Sequence, residues 1–103
     1  MGKIILYGEL ARRAGVKEIK VSTQGKKLID ILREIAEKYD LKDIMFKNER
    51  LRPLFLIMIE GADYFSLRRL NEQLNEEKEI KIIPIFHGGA VPFSRIPVES
   101  VYI

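Results

Sequence analysis

Three runs in this chain, "IILY" at 4–7, "LFLIMI" at 54–59 and "IIPIF" at 82–86, place apolar residues at consecutive positions. Side chains along a strand point alternately to the two faces of a sheet, so a strand with one wet face alternates polar and apolar residues. These runs do not alternate, and the sheet they form is apolar on both sides. Against them stands one well-marked amphipathic helix. In "STQGKKLIDILREIAEKYD", Leu28, Ile31, Leu32, Ile35 and Tyr39 repeat at helical spacing, with Ser22 or Thr23 available as the cap. One helix covers one face of a sheet, which leaves the second face to be covered by a partner, by a second copy, or by the chain's own tail.

The remaining elements follow from local pattern. "EIKVS" at 18–22 alternates Ile19 and Val21 with polar neighbours, and "ARRAGVK" between it and the first run predicts a hairpin. Residues 41–53 are poorly patterned, with one short helical turn near Ile44 to Phe46, closed by Pro53. Gly61 ends the third strand, "DYFS" suggests a short fourth, and Leu67, Leu70 and Leu74 fall on one side of a short helix or turn capped by Ser66. The last strand spans 79–86. The order strand, strand, helix, strand, short strand, strand predicts an α+β fold, one mixed sheet with one principal helix across one face.

A chain of 103 residues has room for one core, so any chemistry is small or shared. The absence of cysteine excludes disulfides, thiolate metal sites and a cysteine nucleophile. No apolar run has the length of a membrane span, and "MGKIILYG" is strand-like rather than a signal peptide, so the expectation is a soluble, cytoplasmic protein. The 18 basic and 15 acidic residues are interspersed. Arg12 with Arg13, Lys26 with Lys27 and Arg68 with Arg69 stand apart from any aromatic-interleaved block, which points away from nucleic acid. His87 has no ligand-spaced companions and is assigned neither acid–base nor metal chemistry. Glu34, Glu37, Lys38 and Asp40 read as the solvated face of the helix.

Gly88 and Gly89 follow the last strand directly. A Gly-Gly pair costs more backbone entropy than other dipeptides, so it belongs where the chain turns sharply or stays thin. From the residues alone it is either a bend leading to one more strand or a terminus that enters a narrow partner site. Ile83, Ile85 and Phe86, which lead to it, are the candidate docking patch.

"FLIMIEGADYFSLRRLNEQLNEEKEIKIIPIFHGG", with strand, turn, Leu-rich segment and final strand running into the glycines, resembles the C-terminal half of the MoaD and ThiS group of ubiquitin-like β-grasp proteins. "KIILYGELARRAG" resembles that group's opening strand and loop, so the likeness extends over residues 3–89. It implies a domain at 1–89 and an apolar extension at 90–103. It further implies a sulfur carrier or modifier whose Gly89, preceded by Gly88, is adenylated by an ATP-dependent activating enzyme and then thiocarboxylated, or joined to a lysine amine. Such a protein is a co-substrate more than a catalyst; it binds no permanent cofactor or metal, and the ATP belongs to its partner. The first outlet implied is the small subunit of molybdopterin synthase, paired with the large subunit.

Three positions depart from that family. Ile85 stands where a second proline is common, and "NEEKE" replaces a glycine turn, with Asn75 as the residue to take the left-handed conformation. Residues 90–103 follow Gly89, so a processing protease is implied, or else the tail is retained and the protein is a non-catalytic β-grasp interaction module or a modifier. The tail carries Val91, Phe93, Ile96, Val98, Val101, Tyr102 and Ile103, too apolar for a solvated extension, and is expected to fold back on the open sheet face. Self-association into a homodimer would satisfy the same face.

Overall fold

A computed structural model of the chain describes residues 1–85. Phe86, His87, Gly88, Gly89 and the extension at 90–103, together with the boundary drawn after Gly89, lie outside the described residues.

The elements run β1 (Gly2–Leu6), α1 (Gly8–Ala14), β2 (Glu18–Val21), α2 (Leu28–Lys38), α3 (Lys42–Met45), β3 (Phe46–Lys47), β4 (Arg50–Leu51), β5 (Phe55–Ile59), β6 (Ala62–Asp63) and β7 (Glu79–Pro84). Five strands form one mixed sheet in the order β2-β1-β7-β5-β6, with β3 and β4 a separate hairpin. The last strand is central, parallel to β1 and antiparallel to β5. Alternation then sorts the side chains. Ile4 and Leu6 of β1, Phe55, Ile57 and Ile59 of β5, and Ile80 and Ile82 of β7 are buried and join Leu28, Ile31, Leu32 and Ile35 of α2 in one core cluster. This is the ubiquitin-like β-grasp arrangement, α+β as the sequence predicts.

Several local expectations are corrected. Residues 11–17, expected as a hairpin loop, contain most of α1: Leu10 is buried, Ala11 and Ala14 pack beside it, and Gly15 at φ 77 ends the helix by donating its N–H to the Ala11 carbonyl at 3.0 Å. β1 and β2 still pair antiparallel across it. Neither Ser22 nor Thr23 caps α2, whose N-cap is Lys27. The free amides of its first turn are taken by backbone carbonyls instead, Leu28 N–H donating to Glu72 O at 3.0 Å and Ile29 N–H to Leu70 O at 2.8 Å.

Residues 41–53 hold more order than their pattern suggests. After α3 comes the β3–β4 hairpin, turned by Asn48 and Glu49 at φ 53 and 67, the two positive values a tight hairpin turn needs. Of the helix or turn expected for the leucines, the structure has turns at Leu67 and Leu70, with Leu74 beyond them: Leu74 is buried, Leu70 packs on the core and Leu67 is 52% exposed. The Ser66 hydroxyl donates to Asp63, whose carboxylate also accepts from the Ile57 and Phe65 amides. The left-handed residues before β7 are Glu60, Gly61 and Arg68, and Asn75 is not among them. Among the described residues, no helix is long and apolar enough to cross a membrane.

Candidate functional site: the open sheet face and the exit of β7

The face of the sheet opposite α2 is laid out by strand register. One row across it reads Lys20, Lys3, Glu79; the next reads Glu18, Ile5, Lys81, Met58; the next pairs Ile83 with Leu56. The first row is charged, with Lys3 Nζ 3.5 Å from Glu79 and 3.7 Å from Glu18. The face becomes apolar toward the end of β7. Ile5, Leu56, Met58, Ile83 and Ile85 are all half-buried. This is the second apolar face that the non-alternating runs require, and no described residue lies across it as α2 lies across the first.

Of the predicted patch, the structure brings Ile83 and Ile85 onto this face, and Phe86 lies outside the described residues. Ile5, Leu56 and Met58 are part of the same surface and were absent from the sequence-based patch. Strand parity relative to a buried neighbour (Ile4, Ile57) is the signal that finds them, and it becomes usable only once β1, β7 and β5 are known to be adjacent. A groove of about 500 Å³ beside β7 is lined by Met58, Ile83 and Lys81 together with Glu60, Gly61 and Glu79.

Pro84 marks the exit. Its partner across β5 is Phe55, and its missing N–H faces the side where β1 has already turned into α1. Its ring is close enough to Gly8 that a Cβ there would meet Pro84 Cγ at 3.4 Å. Pairing does not end at the proline: Ile85 N–H donates to Leu54 O at 2.9 Å, one residue further than Pro84 alone suggests. The chain is thus held to the sheet until three residues before Gly88.

The entrance to β7 is fixed by a knot of hydrogen bonds. The Glu77 carboxylate accepts from Thr23 N–H at 2.7 Å, Ser22 Oγ at 2.9 Å and Gly2 N–H at 3.0 Å. These donors, the Thr23 amide first and then the Ser22 hydroxyl, pull its pKa down from 4.5 to about 2. The buried Thr23 hydroxyl donates to Glu76 O at 2.9 Å and accepts from Lys78 N–H at 2.8 Å. Gly2 fits because it lacks a side chain; a Cβ there would stand 2.7 Å from the Lys78 carbonyl oxygen. Three chain segments are tied here, so the register of β7, and with it the position of its exit, is set from both ends.

Several other charges pair on the surface. Arg13 reaches Asp43 at 2.7 Å and lowers its pKa, Arg69 forks onto Glu72 and stacks 4.3 Å above Tyr64, and Lys26 approaches Glu34 at 3.5 Å. Among the described residues, no group of three or more His, Cys, Asp or Glu side chains is placed to hold a metal ion.

Comparison with known proteins agrees with this geometry. The ThiS family model matches residues 4–89. Ubiquitin-related modifier 1 of Schizosaccharomyces pombe is 31% identical over 68 residues, 66% of this chain and 70% of that protein. The crystal structure of Sulfolobus solfataricus Urm1 superposes with a TM-score of 0.61 at 35% identity, covering 81% of this chain and 99% of that one. The solution structure of small archaeal modifier protein 1 from Methanosarcina acetivorans gives a TM-score of 0.70 at 32% identity, covering 84% and 94%.

Proposed function

This chain belongs to the ThiS family of ubiquitin-like sulfur carriers and modifiers, and from that membership we propose that Gly89 is its working end. Removal of residues 90–103 exposes the Gly89 carboxylate, and an ATP-dependent activating enzyme adenylates it. The observation that carries the reading is where the family match stops: it closes on the second glycine, and residues 90–103 fall outside it.

The chemistry asks little of this protein. A carboxylate is a poor electrophile until its oxygen has displaced pyrophosphate from ATP; a nucleophile then adds to the acyl carbon and AMP leaves. Sulfide-level sulfur gives a thiocarboxylate, and a lysine amine gives an isopeptide. Two glycines without β-carbons let the acyl carbon approach the nucleotide closely. The fold contributes presentation, a rigid central strand ending beside the apolar patch of Ile83 and Ile85, onto which the activating enzyme docks.

Both the Schizosaccharomyces and the Methanosarcina relative are named modifiers, which favours transfer of the terminus to protein amines, alongside sulfur transfer, as the outlet. The molybdopterin synthase small subunit, working with its large subunit, is the narrower alternative. The test is ATP–pyrophosphate exchange with activating enzymes of the native organism. A chain ending at Gly89 supports exchange and the full 103-residue chain does not. Equal exchange with both chains, or none with either, overturns the proposal.

A further inference from the structure

We infer that, before processing, residues 90–103 of this chain lie over the open sheet face and cover the docking patch, so that a single cleavage both creates the Gly89 carboxylate and bares the surface that presents it. The inference rests on the reading of Gly89 as the working end.

Four observations support it. Leu56, Met58, Ile83 and Ile85, with Ile5 on the far side of Lys81, are half-buried apolar residues with no described residue layered over them, while the opposite face is closed by α2. Half of residues 90–103 are large and apolar, a composition that does not stay solvated by choice. The patch adjoins the exit: Ile85 is anchored to Leu54, and Gly88 and Gly89, whose missing β-carbons permit a sharp reversal, follow within four residues in the sequence. Fourteen extended residues reach roughly 45 Å, ample for a face whose strands are five or six residues long.

The order of residues agrees with this direction. A chain that reverses at the glycines and returns one residue for one brings Val91 and Phe93 near the Ile83 end of β7. Ile96 then arrives near Lys81, and Glu99 reaches the level of Lys78 and Glu79, beside the Lys3 ammonium. Apolar residues meet the apolar end, and Glu99 meets a charged row in which Lys3 and Lys20 stand beside Glu79. A second copy would cover the same face by a different contact, and that outcome is separable.

The chain has no cysteine, so Ser100→Cys introduces a single site for a nitroxide label on the full-length protein. The label broadens the amide signals of Lys3, Ile5 and Lys81 and spares those on the exposed side of α2, such as Arg33 and Glu37. In the same labelled chain, Phe93→Asp together with Ile96→Asp removes the broadening, while signals from the core stay in place. Absence of selective broadening on the sheet overturns the inference. So does broadening that passes from a labelled unlabelled-nitrogen chain to an unmodified ¹⁵N chain in a mixed sample, which would assign the face to a second copy. Because the measurement needs no activating enzyme, its failure is distinct from failure of the Gly89 reading.

Discussion

Ile82 and Ile83 are neighbours on β7 with opposite duties, and truncating each in turn separates them. Ile82 is fully buried, paired with Leu6 on one side and Ile57 on the other, under α2. Ile82→Ala removes three buried carbons and leaves a void between two strands and a helix that cannot all move inward, a change that costs about 3–4 kcal/mol. For a domain of this size that corresponds to a fall in Tm of roughly 12–32 °C. Ile83 is half-buried on the open face beside Leu56. Its truncation removes surface that water already reaches in part and leaves no closed cavity, so Ile83→Ala costs about 1 kcal/mol. Thermal and guanidinium unfolding followed by circular dichroism give the two stabilities. ATP–pyrophosphate exchange on chains ending at Gly89 gives the function, and there the order reverses at temperatures where both are folded: Ile83→Ala raises the KM for the carrier and Ile82→Ala does not. Equal destabilisation by the two variants would refute the assignment of opposite faces, and an unchanged KM for Ile83→Ala would refute the patch.

Thr23→Val keeps the shape of a buried residue but leaves Glu76 O and Lys78 N–H without their partner, so it lowers stability by about 2–3 kcal/mol in denaturant titration. The Glu77 pKa is depressed in the folded chain, so its contribution is fully present above the unfolded value near 4.5 and is lost as pH falls toward about 2; acid titration of Glu77→Gln shows a shallower loss of stability between pH 5 and 2 than the parent. Gly2→Ala drives a Cβ against the Lys78 carbonyl and lowers stability in denaturant titration by about 1–3 kcal/mol, although its φ suits any residue; a neutral result shows that β1 can shift.

The parts of the fold legible in the sequence are those where one residue pattern has one solution. The stripe from Leu28 to Tyr39 predicts α2 to within a residue of its end, and the failure of "IILY" and "LFLIMI" to alternate predicts an open apolar face. α1 is hard to see because its seven residues bury one leucine and only half-bury two alanines, too little for a stripe; the sign available is Gly15 placed after Ala11 and Ala14. The β3–β4 hairpin rests on two non-glycine residues at positive φ, which only Asn48 hints at. Thr23 looked like a cap because a threonine upstream of a helix usually is one, yet its partners at Glu76 and Lys78 lie more than 50 residues away. The same reason explains the incomplete patch. Ile83 and Ile85 enter the candidate patch through proximity to the glycines, whereas Ile5, Leu56 and Met58 join them on the same face only through sheet order, which no local pattern carries.

Intact mass spectrometry of the endogenous protein, purified from its native organism without a C-terminal tag, tests the central claim most directly. A species ending at Gly89, with a fraction carrying one oxygen replaced by sulfur or a chain linked through that glycine to a lysine, is the predicted result. A single species retaining residues 90–103 in cells whose activating enzyme is present would contradict it, and Gly88 with Gly89 would then be a bend.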